Sequence, residues 1–157
     1  MMRNGIGSTI LKLPPPIFYV TGIILGMIMD HFFPIPLLPE VWKDRIGIIL
    51  LSISGTIISL VVIRYKKLKT PFFNVYKQPK ALITGGLNRY SRNPGYVALS
   101  FLYLGIAVNL NNIWILGLSI PIILVMDLLV IRREERHLEA IFGKEYLQYK
   151  STVRRWI

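Results

Sequence analysis

The chain has 157 residues, of which 53% are hydrophobic and only 17% are charged, and its formal net charge is +11. Ordinary soluble domains contain roughly 45–50% apolar and about 25% charged residues. The composition therefore predicts one membrane domain, residues 1–157, whose cations lie outside the bilayer. The lack of cysteine in the sequence excludes disulfides, thiolate nucleophiles and cysteine-ligated metals. Two histidines are too few for a histidine-rich metal centre.

Four apolar segments approach or reach the about 20 residues that a helix needs to cross the hydrocarbon core. Asn111 and Asn112 alone separate the last two segments, which predicts a tight antiparallel hairpin, and Pro121 predicts a kink in the fourth. The predicted fold is all-α and integral to the membrane, with four transmembrane helices and a C-terminal cytoplasmic helical extension. The four segments are residues 17–33, 46–63, 95–110 and 113–131.

The distribution of cations predicts the orientation of these segments, because short cytoplasmic loops carry the excess of Lys and Arg. With four spans, all but Lys43 and Arg45 of the 19 lysines and arginines lie on one side. Both termini are therefore predicted to be cytoplasmic, in the inner membrane if the source is a bacterium. Topology and attraction to anionic lipid headgroups account for the basic middle loop, so no nucleic-acid partner is expected.

Two glycines on the first segment, Gly22 and Gly26, form a small-xxx-small pair. Such pairs allow two helix backbones to approach closely. We expect this pair to pack the first helix against a neighbouring helix of the same chain, and we favour that interpretation over dimerisation.

A first polar cluster, residues 84–96, leads into the third segment. Asn93 followed by Pro94 is typical of an N-cap with proline at the first helical position. A helix start leaves free N–H groups that suit a carboxylate or phosphate, and Arg89 and Arg92 flank it. The alternative is a loop that only caps a membrane helix.

A second polar cluster, residues 132–150, continues the fourth segment out of the membrane and contains Gly143 as a helix stop. Helical spacing predicts that Asp127 shares a stripe with Glu134, and that Glu135 lies on the adjoining stripe. The competing interpretation of the two glutamates is a solvated face paired with neighbouring arginines. Asp127 differs, since an acid inside a span normally faces the protein interior or a wet cavity.

Four short motifs across these clusters resemble the isoprenylcysteine carboxyl methyltransferase family, whose members are integral-membrane, S-adenosylmethionine-dependent enzymes. The related phospholipid N-methyltransferases share the Asn-Pro-x-Tyr and Glu-Glu elements. The resemblance covers roughly residues 46–157. The motifs are Arg-Asn-Pro-Gly-Tyr at 92–96, Arg-Glu-Glu-Arg-His-Leu at 133–138, Phe-Gly-x-x-Tyr-x-x-Tyr at 142–149 and Val-Arg-Arg-Trp at 153–156.

The resemblance implies that S-adenosylmethionine is the cofactor and that a lipophilic acceptor enters from the bilayer. Carboxylates can accept hydrogen bonds from the ribose hydroxyls or the amine of this cation. The implied cofactor-binding residues are Asn93, Tyr96, Glu134 and Glu135. The residues expected to orient an anionic acceptor, such as a carboxylate or a phosphate headgroup, are Arg92, Arg89 and Arg154, with Arg133 as a further candidate.

Three other functions compete with this prediction. One is phospholipid N-methyl transfer, and a second is an NADPH-dependent, sterol-reductase-like activity, whose enzymes have a similar Phe-Gly-x-x-Tyr/Trp-x-x-Tyr pattern. The third is a non-catalytic lipid-binding protein. The Glu134–Glu135 pair favours methyl transfer, a displacement that needs neither a metal nor a covalent enzyme intermediate.

Overall fold

The computed structural model describes residues 14–68 and 81–157, and within these ranges the regular structure is helical, as predicted. An isolated β-bridge joins Pro36 and Asn112. The helices are α1 Pro16–Phe32, α2 Glu40–Lys67, a short 3-10 helix Gly86–Arg89, α3 Pro94–Asn109, α4 Ile113–Val125, a π-helical segment Met126–Ile131, α5 Arg132–Phe142 and α6 Lys144–Thr152.

Each of the four apolar segments predicted from the sequence coincides with helical structure to within one residue, but the helices differ in length. By length and composition, two of the described helices are long and apolar enough to cross a membrane: α2 and the continuous helix Ile113–Phe142. The apolar stretch of the latter ends at Ile131, and α5 continues beyond it with charged residues. The helices α1 and α3 are apolar but shorter, about 25 Å long at 1.5 Å per residue.

Large apolar side chains on the outer faces of the helices are exposed. Ile24 and Ile28 on α1 are 52% and 50% exposed, and Ile48 and Ile49 on α2 are 59% and 57% exposed. Soluble monomers rarely present contiguous apolar surfaces of this kind. The exposed faces therefore fit contact with lipid.

The helices α2 and α3 pack antiparallel through small residues. A Cβ at Gly47 would lie 3.1 Å from Cα of Asn109, and one at Gly105 would lie 3.1 Å from the backbone nitrogen of Leu51. Nearer the polar end of the pair, the buried Ser54 hydroxyl donates a 2.8 Å hydrogen bond to the carbonyl of Ala98. Close backbone approach thus replaces side-chain interdigitation along this interface.

The glycines of α1 face α4, as the small-xxx-small pair predicted. A Cβ at Gly26 would lie 2.8 Å from the backbone nitrogen and 2.9 Å from Cα of Ile115, and one at Gly22 would overlap the side chain of Ile122. Packing within the chain accounts for both glycines.

Two asparagines at the α3–α4 connection hold the far end of the bundle together. Asn111 has a φ of 53°, and its side-chain oxygen accepts hydrogen bonds from the N–H groups of Leu37 and Leu38 at 3.0 and 2.8 Å. The side chain of Asn112 caps α4 by accepting from Ile115 N–H at 2.9 Å and donates to the carbonyl of Gly26 at 3.3 Å. The connection between α1 and α2 is therefore fastened to the α3–α4 turn.

The fourth apolar segment departs from α-helical geometry after Val125. Pro121, where the sequence predicts a kink, lies inside α4, which continues to Val125. The change comes at Met126–Ile131, where the chain forms a π-helical segment. A π turn holds one more residue than an α turn, so it alters which side chains share a face further along the helix.

We predict that Gly26→Ala destabilises the protein, because the new methyl group would meet backbone atoms of Ile115 that cannot rotate away. Overpacking of this kind is unfavourable by about 1–3 kcal/mol. Gly55→Ala is the matched control, since Gly55 also lies within a helix and a Cβ there meets nothing within 4 Å. Thermal unfolding in detergent should show a lower midpoint for Gly26→Ala and an unchanged or higher one for Gly55→Ala. Equal midpoints would contradict the close packing of α1 on α4.

Candidate functional site

Three parts of the chain that are distant in sequence meet beside the start of α3. They are the loop that precedes α3, the helical region Met126–Phe142, and residues 153–157, which we call the C-terminal strap. The backbone N–H of Arg92 donates to the carbonyl of Arg154 at 2.9 Å, and the Asn93 side chain donates to the carbonyl of Arg155 at 3.0 Å. The strap therefore lies directly against the loop.

Every nitrogen atom of the Arg92 guanidinium donates a hydrogen bond within the protein. Its Nε and Nη2 atoms donate to Oε1 of Glu135 at 3.1 and 2.7 Å. Its Nη1 atom donates to the carbonyls of Lys150, at 3.0 Å, and Val153. All three nitrogen atoms thus join the loop, α5 and the end of α6 to one another.

Glu135, which is only 3% exposed, lies between two arginines. In addition to the contacts from Arg92, it accepts hydrogen bonds from Arg155, Nε to Oε1 at 3.1 Å and Nη2 to Oε2 at 2.7 Å. A buried carboxylate requires such charge compensation. The interpretation of Glu135 as part of a solvated charged face is therefore wrong.

Asp127 completes the ion-pair network on the other side of Arg155. The Nη1 atom of Arg155 lies 3.2 Å from Oδ1 and 3.0 Å from Oδ2 of Asp127, and the indole N–H of Trp156 donates to Oδ1 at 2.9 Å. The network therefore contains two negative and two positive charges and is neutral overall. Its members are Asp127, Glu135, Arg92 and Arg155. The expectation that Asp127 faces the protein interior agrees with these contacts.

The π-helical segment explains why Asp127 aligns with Glu135, and the predicted alignment with Glu134 is wrong. In a regular α-helix, two side chains eight residues apart, such as those of Asp127 and Glu135, differ in direction by about 80°, whereas two side chains seven residues apart differ by only about 20°. The π turn accommodates one extra residue, so Asp127 and Glu135 are oriented as if they were seven residues apart. Asp127 and Glu135 consequently face the same partner, Arg155.

Glu134 points away from this network and toward α3. Its Oε2 atom accepts a 2.8 Å hydrogen bond from the hydroxyl of Tyr96. Its Oε1 atom has no hydrogen-bond partner among residues 14–68 and 81–157. The interpretation as a solvated face paired with neighbouring arginines is wrong for Glu134 as well, because Glu134 turns toward α3 and accepts from Tyr96.

The two adjacent glutamates have opposite electrostatic environments. Burial raises the pKa of Glu134, and the charge of Glu135 adds to this, while the hydrogen bond from Tyr96 acts in the opposite direction. Burial also acts to raise the pKa of Glu135, but the hydrogen bonds from Arg155 and Arg92 outweigh it and hold that pKa below its ordinary value. Glu135 is thus the firmly ionised member of the pair.

The start of α3 follows the predicted boundary but differs in its capping. The helix begins at Pro94, after Asn93, yet the Asn93 side chain makes no cap hydrogen bond and binds the strap instead. The Asn93 N–H donates to the hydroxyl of Ser91 at 3.1 Å. In the described part of the chain, the N–H of Gly95 has no partner. The start of α3 therefore presents fewer free backbone N–H groups than the sequence predicts.

The tyrosines of the Phe-Gly-x-x-Tyr-x-x-Tyr motif hold the loop from the other side. Gly143, with φ 53°, separates α5 from α6 and fulfils its predicted role as a helix stop. The Tyr149 hydroxyl donates to the carbonyl of Asn88 at 2.7 Å, and the ring of Tyr146, which is 1% exposed, packs edge-to-face on Tyr149. This motif contributes to positioning the loop.

Two of the predicted arginines, Arg89 and Arg154, are exposed and form no ion pair with another described residue. The residue of this cluster that the sequence did not single out is Arg155, which pairs with Asp127 and Glu135. Backbone at the beginning of the strap is extended, and successive side chains of an extended chain point to opposite sides. One of the two adjacent arginines therefore had to face the cluster, but the spacing did not indicate which.

Comparisons with known proteins agree with the sequence motifs. A family model described as phospholipid methyltransferase matches residues 42–145. The chain is 49% identical over 47 residues to an uncharacterized protein of Haemophilus influenzae, a match that covers 30% of this chain and 73% of that protein.

The fold is similar to that of the eukaryotic intramembrane Ras methyltransferase ICMT, an isoprenylcysteine carboxyl methyltransferase. The TM-score is 0.66 at 22% sequence identity, and the alignment covers 90% of this chain and 51% of that one. This chain thus spans about half the length of the solved enzyme. The predicted relationship to membrane methyltransferases is confirmed, and the match over residues 42–145 shows that the chain belongs to the phospholipid methyltransferase family.

Proposed function

We propose that this protein transfers a methyl group from S-adenosylmethionine to a lipophilic acceptor at the cytoplasmic face of a membrane. The observation that carries the proposal is the carboxylate of Glu134. It is held by Tyr96, has one oxygen without a partner among the described residues, and lies beside the start of α3 at the polar end of a lipid-facing bundle. Family membership supports the same activity.

The residues around Glu134 fit the functional groups of the cofactor. When bound, S-adenosylmethionine supplies an electrophilic methyl group on a sulfonium cation. The free Oε1 of Glu134 can accept a hydrogen bond from a ribose hydroxyl or the ammonium group, and the N–H of Gly95 can donate to the carboxylate. We place Asn93 and Tyr96 at this site, and we assign Glu135 an indirect role because its oxygens are already occupied by arginines.

The acceptor side of the proposed site combines apolar and basic surface. A groove of about 260 Å³ lies beside the strap, with Val97, Phe101, Leu104, Ile123 and Trp156 among its lining residues. Its apolar walls suit a hydrocarbon chain. The exposed cations Arg89 and Arg154 remain our candidates for an anionic acceptor group, although Arg89 lines a separate cavity against α2. Arg92 is proposed to position α5, because its donors are engaged with protein atoms.

Orientation provides the chemical advantage in this proposal. Methyl transfer is an in-line displacement in which the acceptor's lone pair forms the new bond to carbon while the carbon–sulfur bond breaks and sulfur keeps the electron pair. Fixing two reactants in this geometry can supply roughly 7–11 kcal/mol of the barrier. The protein's tasks are to hold the donor at Glu134 and to exclude water from the apolar groove.

A second candidate acceptor is the amine of a phospholipid, which the family model favours. Carboxyl methylation and amine methylation are distinguished by the product: alkali releases methanol from a methyl ester, whereas an N-methyl group is stable. Incubation of the purified protein with tritiated S-adenosylmethionine and extracted membrane lipids, followed by alkaline hydrolysis, separates the two acceptors. No incorporation into any lipid would contradict the proposed activity and favour a non-catalytic lipid-binding protein.

We predict that Glu134→Gln weakens S-adenosylmethionine binding by about 1.5–3 kcal/mol, the range for a hydrogen bond to a charged group. The protein should remain folded, since the amide oxygen can still accept from Tyr96. Glu145→Gln is the matched control, because Glu145 is exposed on α6. Calorimetric titration of both variants measures the difference.

Two outcomes of that titration would contradict the proposed site. Equal affinity in the two variants would remove Glu134 from it. Tight binding of NADPH together with no binding of S-adenosylmethionine would favour the reductase-like alternative.

We also propose four spans with both termini and residues 64–92 in the cytoplasm. Residues 1–13 and 69–80, which carry part of the predicted cytoplasmic charge, lie outside the described residues. Within the described part, the cations Arg64, Lys66 and Lys67 stand at the end of α2 that is nearer the site, whereas Lys43 and Arg45 stand at its other end. This separation supports the orientation.

The absence of native cysteine makes the topology directly testable. We predict that Val75→Cys and Glu145→Cys react with a membrane-impermeant maleimide only after the membrane is permeabilised, and that Asp44→Cys reacts in intact cells or spheroplasts. Labelling of Val75→Cys without permeabilisation would overturn the four-span topology.

A further inference from the structure

We propose that Arg155 is a positioning residue for the methyl-donor site, acting through its simultaneous contacts with Asp127 and Glu135. The inference rests on the proposed function and adds to it a role for the C-terminal strap. Arg155 itself is not proposed to touch the cofactor. Its contacts determine where α5 and the start of α3 lie relative to each other.

The geometry of Arg155 is that of a bridge between separate elements. Four hydrogen bonds from its guanidinium end on two carboxylates, one in the π-helical segment and one in α5. Its own carbonyl accepts from the side chains of Asn93, at 3.0 Å, and Ser91, at 3.3 Å. One residue of the strap therefore contacts the π-helical segment, α5 and the loop before α3.

Charge balance makes this bridge difficult to replace. Glu135 has 5% side-chain exposure, Arg92 10% and Arg155 25%, so none of these charges is fully solvated. Without Arg155, Glu135 and Arg92 still pair, but Asp127 loses its ionic partner. A lysine would restore one positive charge but could not present the planar set of donors that reaches both carboxylates.

The consequence for the donor site follows from the position of Glu134. It is the residue immediately before Glu135, so the hydrogen bonds that Arg92 and Arg155 donate to Glu135 also limit the movement of the backbone that carries Glu134. Asn93, on the other side of the proposed site, is tied to the carbonyl of Arg155. Weakening the contacts of Arg155 should therefore displace both Glu134 and Asn93, the two sides of the proposed donor site.

The test compares Arg155→Lys with Arg45→Lys, which makes the same substitution at an exposed arginine at the opposite end of the bundle. We expect Arg155→Lys to raise the dissociation constant for S-adenosylmethionine about tenfold, and Arg45→Lys to change it less than about twofold. Asp127→Asn is a second variant, because it removes one arm of the bridge and leaves the Glu135 contacts. It should weaken binding in the same direction and to a smaller extent.

The pH profile of cofactor binding gives a readout that a purely structural role would not change. The charged and titratable groups facing Glu135 are Arg92, Arg155, Glu134 and Tyr146. Arg155 and Arg92 hold the pKa of Glu135 below its ordinary value, so Glu135 protonates only at low pH. When Arg155 is replaced, this pKa rises. The acid-side loss of cofactor binding should then begin at a higher pH in Arg155→Lys than in Arg45→Lys.

Hydrogen exchange without cofactor separates this inference from the proposed function. We expect faster amide exchange in Arg155→Lys at the start of α3 and in the first turn of α5, and exchange like that of the unaltered protein in Arg45→Lys. Failure of the unaltered protein to bind S-adenosylmethionine would overturn the proposed function alone. Identical exchange and identical pH profiles in the two lysine variants would overturn the positioning role of Arg155.

Discussion

The carboxylate of Glu135 is buried, and its compensation by Arg92 and Arg155 is the interaction on which the site depends. Each arginine comes from a different part of the chain, one before α3 and one after α6, so satisfying a single charge brings three segments together. Removing one partner of such a pair is far more damaging than exchanging the whole set, because it leaves a charge without compensation. Asp127 extends the same requirement into the π-helical segment.

The helices make this polar cluster possible by providing a rigid and closely packed support. Glycines at 26, 47 and 105 let neighbouring backbones approach, and the buried Ser54 hydroxyl bonds across the α2–α3 interface. In a lipid environment, where apolar side chains gain little by leaving the solvent, close packing and internal hydrogen bonds hold helices together. The asparagines at the α3–α4 connection serve the opposite end, where Asn111 fastens the linker between α1 and α2.

The proposed activity requires that the charge of one glutamate be neutralised by arginines and that the neighbouring glutamate be able to bind the cofactor. Glu135 accepts hydrogen bonds from the two arginines, whereas Glu134 accepts one from a neutral hydroxyl, and its other oxygen has no partner within residues 14–68 and 81–157. The same residue type thus has two roles because the surroundings differ, as in enzymes that use paired carboxylates for different tasks. The Glu134 carboxylate lies next to a helix start, and an apolar groove is close by. This arrangement suits a soluble cationic methyl donor and a lipophilic methyl acceptor that must meet.

The sequence alone was sufficient for the all-helical class, the four apolar segments, the stop at Gly143 and the family resemblance, because these depend on local patterns of hydrophobicity, turn residues and short motifs. It also identified Glu134, Glu135 and Arg92 as belonging to two polar clusters. Only the tertiary structure decided which glutamate is compensated and that Arg155, one position after the predicted Arg154, enters the network. The physical reason is that both outcomes depend on register: the π turn shifts Asp127 by one residue toward Glu135, and an extended strap turns one of two adjacent arginines inward. Neither feature has a local signal, because each is stabilised by charges that arrive from elsewhere in the chain.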